Sequence, residues 1–174
     1  MSAGGRRSEP CVDPATSLEV CRIGERQPVA SSAPLLGLGL LLVASMLAGI
    51  CEATRDRSVA YAGEREQFGR PIGSFQAVKH RCADMAVRAE AIGTLTNYTA
   101  LALGEGLAEA DRLVPLTKAL ASEYALANSA DDIQNHGGTG FTVECPSHLY
   151  LKRAHLLATV LGTPAQLYSS VMRS

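Results

Sequence analysis

Tryptophan is absent from this 174-residue chain, and aromatics are only 5% of it. Alanine and leucine carry most of the apolar content instead, and both favour helix over strand. Neither charge is in surplus: 16 Lys and Arg oppose 17 Asp and Glu, for a net charge of −1. The basic footprint of a nucleic-acid-binding protein is therefore missing. The five cysteines (Cys11, Cys21, Cys51, Cys82 and Cys145) are odd in number and form no Cys-x-x-Cys pair. That spacing excludes the usual zinc ribbon and argues against a disulfide framework, leaving free thiols in a reducing, cytoplasmic setting.

Charge is also missing locally. Leu35 to Cys51 reads "LLGLGLLLVASMLAGIC" without one ionisable carboxylate or amine. The run is at the short edge of what spans a bilayer, and it begins too late, behind acidic residues, for a signal peptide. It continues into "EATRDRSVAYAGEREQFG" with charges on one face. A buried bundle helix accounts for both halves, and a small membrane protein anchored through residues 35–51 is the alternative.

The periodicity that is present is helical. Residues 1–33 hold scattered prolines and one strand-like piece, "TSLEVCRI", so they read as a loose leader. A first helix is expected from Leu35 to Gln67, burying Leu42, Met46, Ile50, Ala53 and Ala60. "FGRPIG" breaks it, because Pro71 removes a helical donor, and Ser74 stands at the next N-cap position. Phe75, Val78, Cys82, Met85, Ala89 and Ile92 then follow the alternating three- and four-residue spacing of a bundle seam. Asp84 and Arg88 form an i,i+4 pair on another face of that helix.

"LGEG" (Leu103–Gly106) ends the second helix. A third resumes near Ala108 and buries Leu116, Leu120, Tyr124 and Ala127, with Pro115 tolerable in a first turn. Gly137 stops it. Two short helices follow, over 147–157 and 165–172. The expected fold is all-α: an up-and-down bundle of three long helices with one or two short C-terminal ones, occupying residues 34–174 without a sheet.

Two corners carry candidate chemistry. "IQNHGGTGFTVECP" (residues 133–146) lacks the strand–turn–helix context of a dinucleotide fingerprint and the Lys-Ser/Thr of a P-loop. Its glycines nevertheless let another molecule approach the backbone closely. "REQFGRPIGSFQ" (Arg65–Gln76) sets an arginine, an aromatic and an amide on one helix–turn–helix corner, where Arg65 suits a phosphate. On spacing alone, a helix stop and a surface arginine with a capping glutamine are the favoured readings. His80, His148, Lys152, Arg153 and His155 read as surface groups, and Glu144 as a dipole partner.

Taken together, "REQFGRPIGSFQAVKHRCADM" and "IQNHGGTGFTVECPSHLYLKRA" resemble the carboxy-terminal helical domain of the acyl-CoA dehydrogenase family. "HGGTGFT" is most similar to its bacterial two-gene forms, whose half-size subunits pair into heterotetramers. The resemblance implies FAD as cofactor, shared with a neighbouring subunit and contacted by Arg65, Phe68 and Gln76. Gln134, Gly137 and Gly138 would approach its adenosine diphosphate portion. An acyl-CoA thioester would be the substrate.

The same resemblance exposes two departures. The family's catalytic carboxylate usually precedes a Gly-Thr pair, and here Leu161 precedes Gly162 and Thr163. The alternative carboxylate position, on the first helix, falls at about Gly39, with Leu40 where an arginine is usual. The residues ahead of the bundle are too few for a flavin-binding barrel and are at most a remnant of the middle β domain. The expectation is a truncated or half-type subunit that is inactive alone and completes a partner's FAD site. The competing expectation is a non-catalytic oligomerisation module with a vestigial FAD corner.

Overall fold

Helix formers dominate from residue 33 onward, and the chain there folds into three long helices and two shorter ones. They are α1 (Ala33–Glu64), α2 (Gln76–Gly104), α3 (Ala110–His136), α4 (Ser147–Thr159) and α5 (Pro164–Arg173). The computed structural model describes residues 6–21 and 33–173. Residues 1–5 and 22–32 of the expected leader lie outside the described residues.

Side-chain pairs give the helix directions. Arg81 of α2 reaches Asn135, Arg88 reaches Asn128, and Thr99 reaches Thr117, so α2 runs opposite to α3. Leu40 packs with Val114 near the start of α3, while Ser58 meets Asp132 near its end, so α1 and α3 run together. The bundle is therefore up, down, up, with α3 packed against the other four helices.

The core contains Ala44, Leu47, Cys51, Ala89, Ile92, Ala121, Ala125 and Ala154, all essentially without exposure. Small residues at these positions let the axes approach closely. The seam expected on α2 is realised from Met85 through Ala89 and Ile92, and continues as Thr96, Thr99 and Ala102.

Other expectations are corrected. Two small antiparallel ladders exist: β1 (Arg6–Glu9) with β2 (Leu18–Cys21) in the leader, and β3 (Glu66–Gln67) with β4 (Arg70–Pro71) inside the region expected to hold no sheet. The first takes up the strand-like piece of the leader. The second ends α1 before Gln67. On α1, Ile50 is buried as expected and Ala53 half-buried, but Leu42, Met46 and Ala60 face solvent, with Leu47, Cys51, Thr54 and Ser58 on the buried face. An all-apolar run offers several equivalent faces, so hydrophobicity could not choose among them.

Ser74 belongs to a 3₁₀ turn, and Phe75 is the residue before α2, with no side-chain cap. Arg88 bonds Asn128 and Asp131 across the bundle, where an intrahelical pair with Asp84 was expected. Pro115 lies in the second turn of α3, as its sixth residue. The carbonyl deprived of a partner there is that of Asp111, an exposed residue that water can satisfy. Leu116, Leu120, Tyr124 and Ala127 are half-buried flanks; the innermost face of α3 is Thr117, Lys118, Ser122, Asn128 and Asp132.

Candidate functional site

The two sequence corners meet. Arg65, at the end of α1, and Gly137 and Gly138, after α3, line one cleft of about 460 Å³ with Tyr61, Asn135 and His136. Each glycine has its own reason to be there. Gly137 adopts φ 60°, the left-handed stop that glycine tolerates, and its N–H bonds the Gln134 carbonyl. A side chain at Gly140 would bring its Cβ within 2.4 Å of the Ile133 carbonyl oxygen, so that position is set by packing. Gly138 meets nothing within 4 Å and is open on the cleft side.

The remaining candidates, Gln134, Gln76 and Phe68, are not brought into the cleft wall. Gln134 is exposed on the last turn of α3, and Gln76 is exposed at the start of α2. Phe68 is 91% exposed at the tip of the β3–β4 hairpin. Phe68 and Gly69 both have positive φ, 55° and 74°, as a type I′ turn requires. Glycine accepts this conformation and phenylalanine resists it. The Phe68 ring meets Phe75 edge-on at 6.1 Å, and the Arg70 guanidinium lies 4.2 Å over Phe75.

Beneath the cleft is a polar network that hydrophobic patterning gave no reason to expect. Asp132 is fully buried and accepts from Ser58 Oγ at 2.8 Å, with Arg57 Nε at 3.6 Å. His136 Nδ1 lies 2.8 Å from the Asp132 carbonyl oxygen and 3.2 Å from its carboxylate. Both neighbours are acceptors, so Nδ1 carries the proton. The Tyr61 ring stacks on this imidazole at 4.2 Å. From α2, Arg81 and Arg88 both pair with Asp131. Arginines and a stacked pair therefore fix the end of α3, and with it the glycine turn. The sequence signal, small polar residues at helical spacing within an apolar bundle, was present at Thr54, Ser58, Asn128 and Asp132.

A second, larger cavity of about 690 Å³ lies at the opposite end of the bundle, walled by Leu40, Leu103, Val114, Leu161 and Leu167. Leu161, in this wall, lies against Gly39 of α1: a Cβ at Gly39 would be 2.9 Å from Leu161 Cδ1. The two positions at which the sequence departs from the expected carboxylate thus meet at this wall. Asp111 is the only carboxylate among the described residues lining this cavity. Lys118 is fully buried behind the same wall, and desolvation lowers its pKa to about 8.

The fold is a helical bundle with a glycine-lined cleft holding Arg65 at one end and an apolar cavity at the other. The chain belongs to the acyl-CoA dehydrogenase family: residues 29–174 match the profile of the acyl-CoA dehydrogenase C-terminal domain. It is 41% identical over 150 residues to acyl-CoA dehydrogenase FadE34 of Mycobacterium tuberculosis, covering 86% of this chain and 20% of that one. Acyl-CoA dehydrogenase IpdE2 of the same organism is 36% identical over 155 residues, covering 89% of this chain and 47% of that one. In fold it is similar to the butyryl-CoA dehydrogenase of Megasphaera elsdenii, with a TM-score of 0.85 at 24% identity, over 96% of this chain and 47% of that one. The chain thus spans less than half the length of these relatives.

Proposed function

We propose that this chain supplies the bundle side of a FAD site in an acyl-CoA dehydrogenase, the other side coming from a flavin-domain-bearing partner subunit in the cytoplasm. The observation that carries the reading is the shared cleft of Arg65, Gly137 and Gly138. The residues suit the group. Arg65 has no carboxylate partner among the described residues, so its guanidinium is available for a diphosphate edge. Gly138 leaves room for close approach. Phe68, held out by a strained turn, provides an apolar contact for a neighbour, and strain of this kind collects at functional contacts. Gln76 and Gln134 would supply amide contacts at the rim.

Bound there, FAD would supply the hydride acceptor for α,β-dehydrogenation of an acyl-CoA thioester. The residues of this chain bind and orient. Arg65 neutralises phosphate charge, the Gly137–Gly138 backbone accepts the cofactor edge, and the apolar cavity excludes water from an acyl chain. No step assigned to this chain removes the α-proton, because Leu161 and Gly39 occupy the positions where a carboxylate would act, and neither accepts a proton. The base is assigned to the partner. That substitution also favours a second reading, an assembly module whose FAD corner is vestigial.

Reconstitution separates the two. Co-expressed with a flavin-domain subunit of the family, the chain is expected to yield a yellow complex, and alone to retain no flavin. Arg65→Met in the complex is expected to weaken FAD retention by about 10- to 100-fold, as loss of a charge-assisted hydrogen bond implies. A complex that assembles normally and holds FAD equally well with Arg65→Met would favour the assembly module. Stoichiometric FAD in the isolated chain would remove the shared-site reading.

A further inference from the structure

Among the described residues, Lys118 is the largest fully buried side chain, and desolvation lowers its pKa with no charged partner among them to oppose it. Its Nζ donates to the Ala158 carbonyl at 2.8 Å and to the Gly162 carbonyl at 2.5 Å. Ala158 lies in the last turn of α4, where helix carbonyls lose their own partners. The next available amide, Gly162 N–H, goes to Thr159 instead. The Ala158 carbonyl is therefore met from another helix, at the end where the macrodipole favours a cation.

Between those two carbonyls the backbone does something that leucine resists. Leu161 sits at φ 59° and Gly162 at φ 120°. A left-handed leucine persists only where its surroundings over-determine it. The Gly39 side supplies steric contact only, because a glycine has no side chain with which to grip the turn.

We propose that Lys118 is a positioning residue: its ammonium caps α4 in trans and holds the Leu161–Gly162 turn in its left-handed form, fixing the wall of the larger cavity. A polar clamp thus sets the placement of residue 161, and the shape of the leucine side chain does not. In the flavoenzyme reading this turn faces the acyl chain, and that significance rests on the reading. The clamp itself does not.

Two measurements test it, and neither needs flavin or thioester, so failure of the enzymatic reading leaves the result interpretable. In the wild-type chain, with lysine and carbonyl isotope labelling, Lys118 Nζ is expected to show through-hydrogen-bond couplings to the Ala158 and Gly162 carbonyl carbons. Absence of both couplings overturns the proposal. In Lys118→Met, which keeps the bulk and removes the donor, amide exchange at Val160–Thr163 is expected to rise about tenfold or more, with α2 amides little changed. Ile92→Val, a core change elsewhere, is expected to leave the turn as protected as α2. No acceleration in Lys118→Met, or equal acceleration throughout, overturns the proposal; if that variant fails to fold, the wild-type couplings decide.

Discussion

Single residues in the "GGTG" stretch do separable jobs, and substitution distinguishes them. Gly140→Ala drives a Cβ to within 2.4 Å of a carbonyl oxygen on α3. Backbone on backbone cannot give as a flexible side chain can, so the expected cost is about 1–3 kcal/mol or more, read as a lower denaturant midpoint. Gly138→Ala meets open space. Its stability is expected to stay within about 0.5 kcal/mol of wild type while FAD retention in the complex falls. Phe68→Gly releases a side chain held at φ 55°. The isolated chain is expected to gain about 1 kcal/mol, and the complex to lose cofactor contact. At this scale the sequence was half legible. On pattern alone it read a helix stop and a surface arginine, and only the family resemblance joined Arg65 to the glycines. Their separate reasons depend on Ile133 and on the cleft, which are distant facts no local pattern carries.

Helices were the most legible elements, because alanine and leucine periodicity and Gly–Pro punctuation are local. Their faces were less so. On α2, where polar and apolar residues alternate, the seam Met85–Ala89–Ile92 could be read directly. On α1 the apolar run hid the true face, which only Cys51, Thr54 and Ser58 betray. On α3 the reasoning inverted: a helix packed on four others buries polar residues by pairing them, as Asn128 does with the carbonyls of Cys51 and Met85. Lys118 is the extreme case, and its sign with pH is definite. Its folded pKa is about 8 against 10.5 unperturbed. Below about pH 8 it is charged in both states, and the full cost of burying the charge is present. Between about 8 and 10.5 the unfolded chain holds a proton that the folded chain has released, so stability rises with pH. The neutral amine keeps N–H donors, so the cap survives. Urea midpoints across that window should show wild type gaining on Lys118→Met by about 3 kcal/mol. A difference that falls with pH would mean the ammonium is not desolvated.

On the whole molecule, the face of α1 that does not enter the core carries the next consequence. Leu35, Leu38, Leu42 and Met46 follow helical spacing and are all substantially exposed. Tyr98 and Leu101 add apolar surface on α2. A contiguous apolar face of this kind is seldom left to water in a soluble protein. Two occupants account for it, a protein surface or lipid, since α1 is long and apolar enough to cross a membrane and a bundle core helix meets the same criterion. The inner face of α1 decides what each predicts. Leu47, Cys51, Thr54, Ser58 and Asp132 bind it to α3 through packing and a Ser58–Asp132 hydrogen bond. Insertion of α1 alone into a bilayer would break that hydrogen bond and strand a buried carboxylate, so the stripe is assigned to a protein partner or a second copy. Light scattering on the purified chain should give an oligomer without detergent. The paired change Leu38→Glu and Leu42→Lys, on the outer face only, should lower its mass while leaving helicity unchanged. A monodisperse wild-type monomer would remove the protein-interface assignment, and solubility only in detergent would return α1 to the membrane.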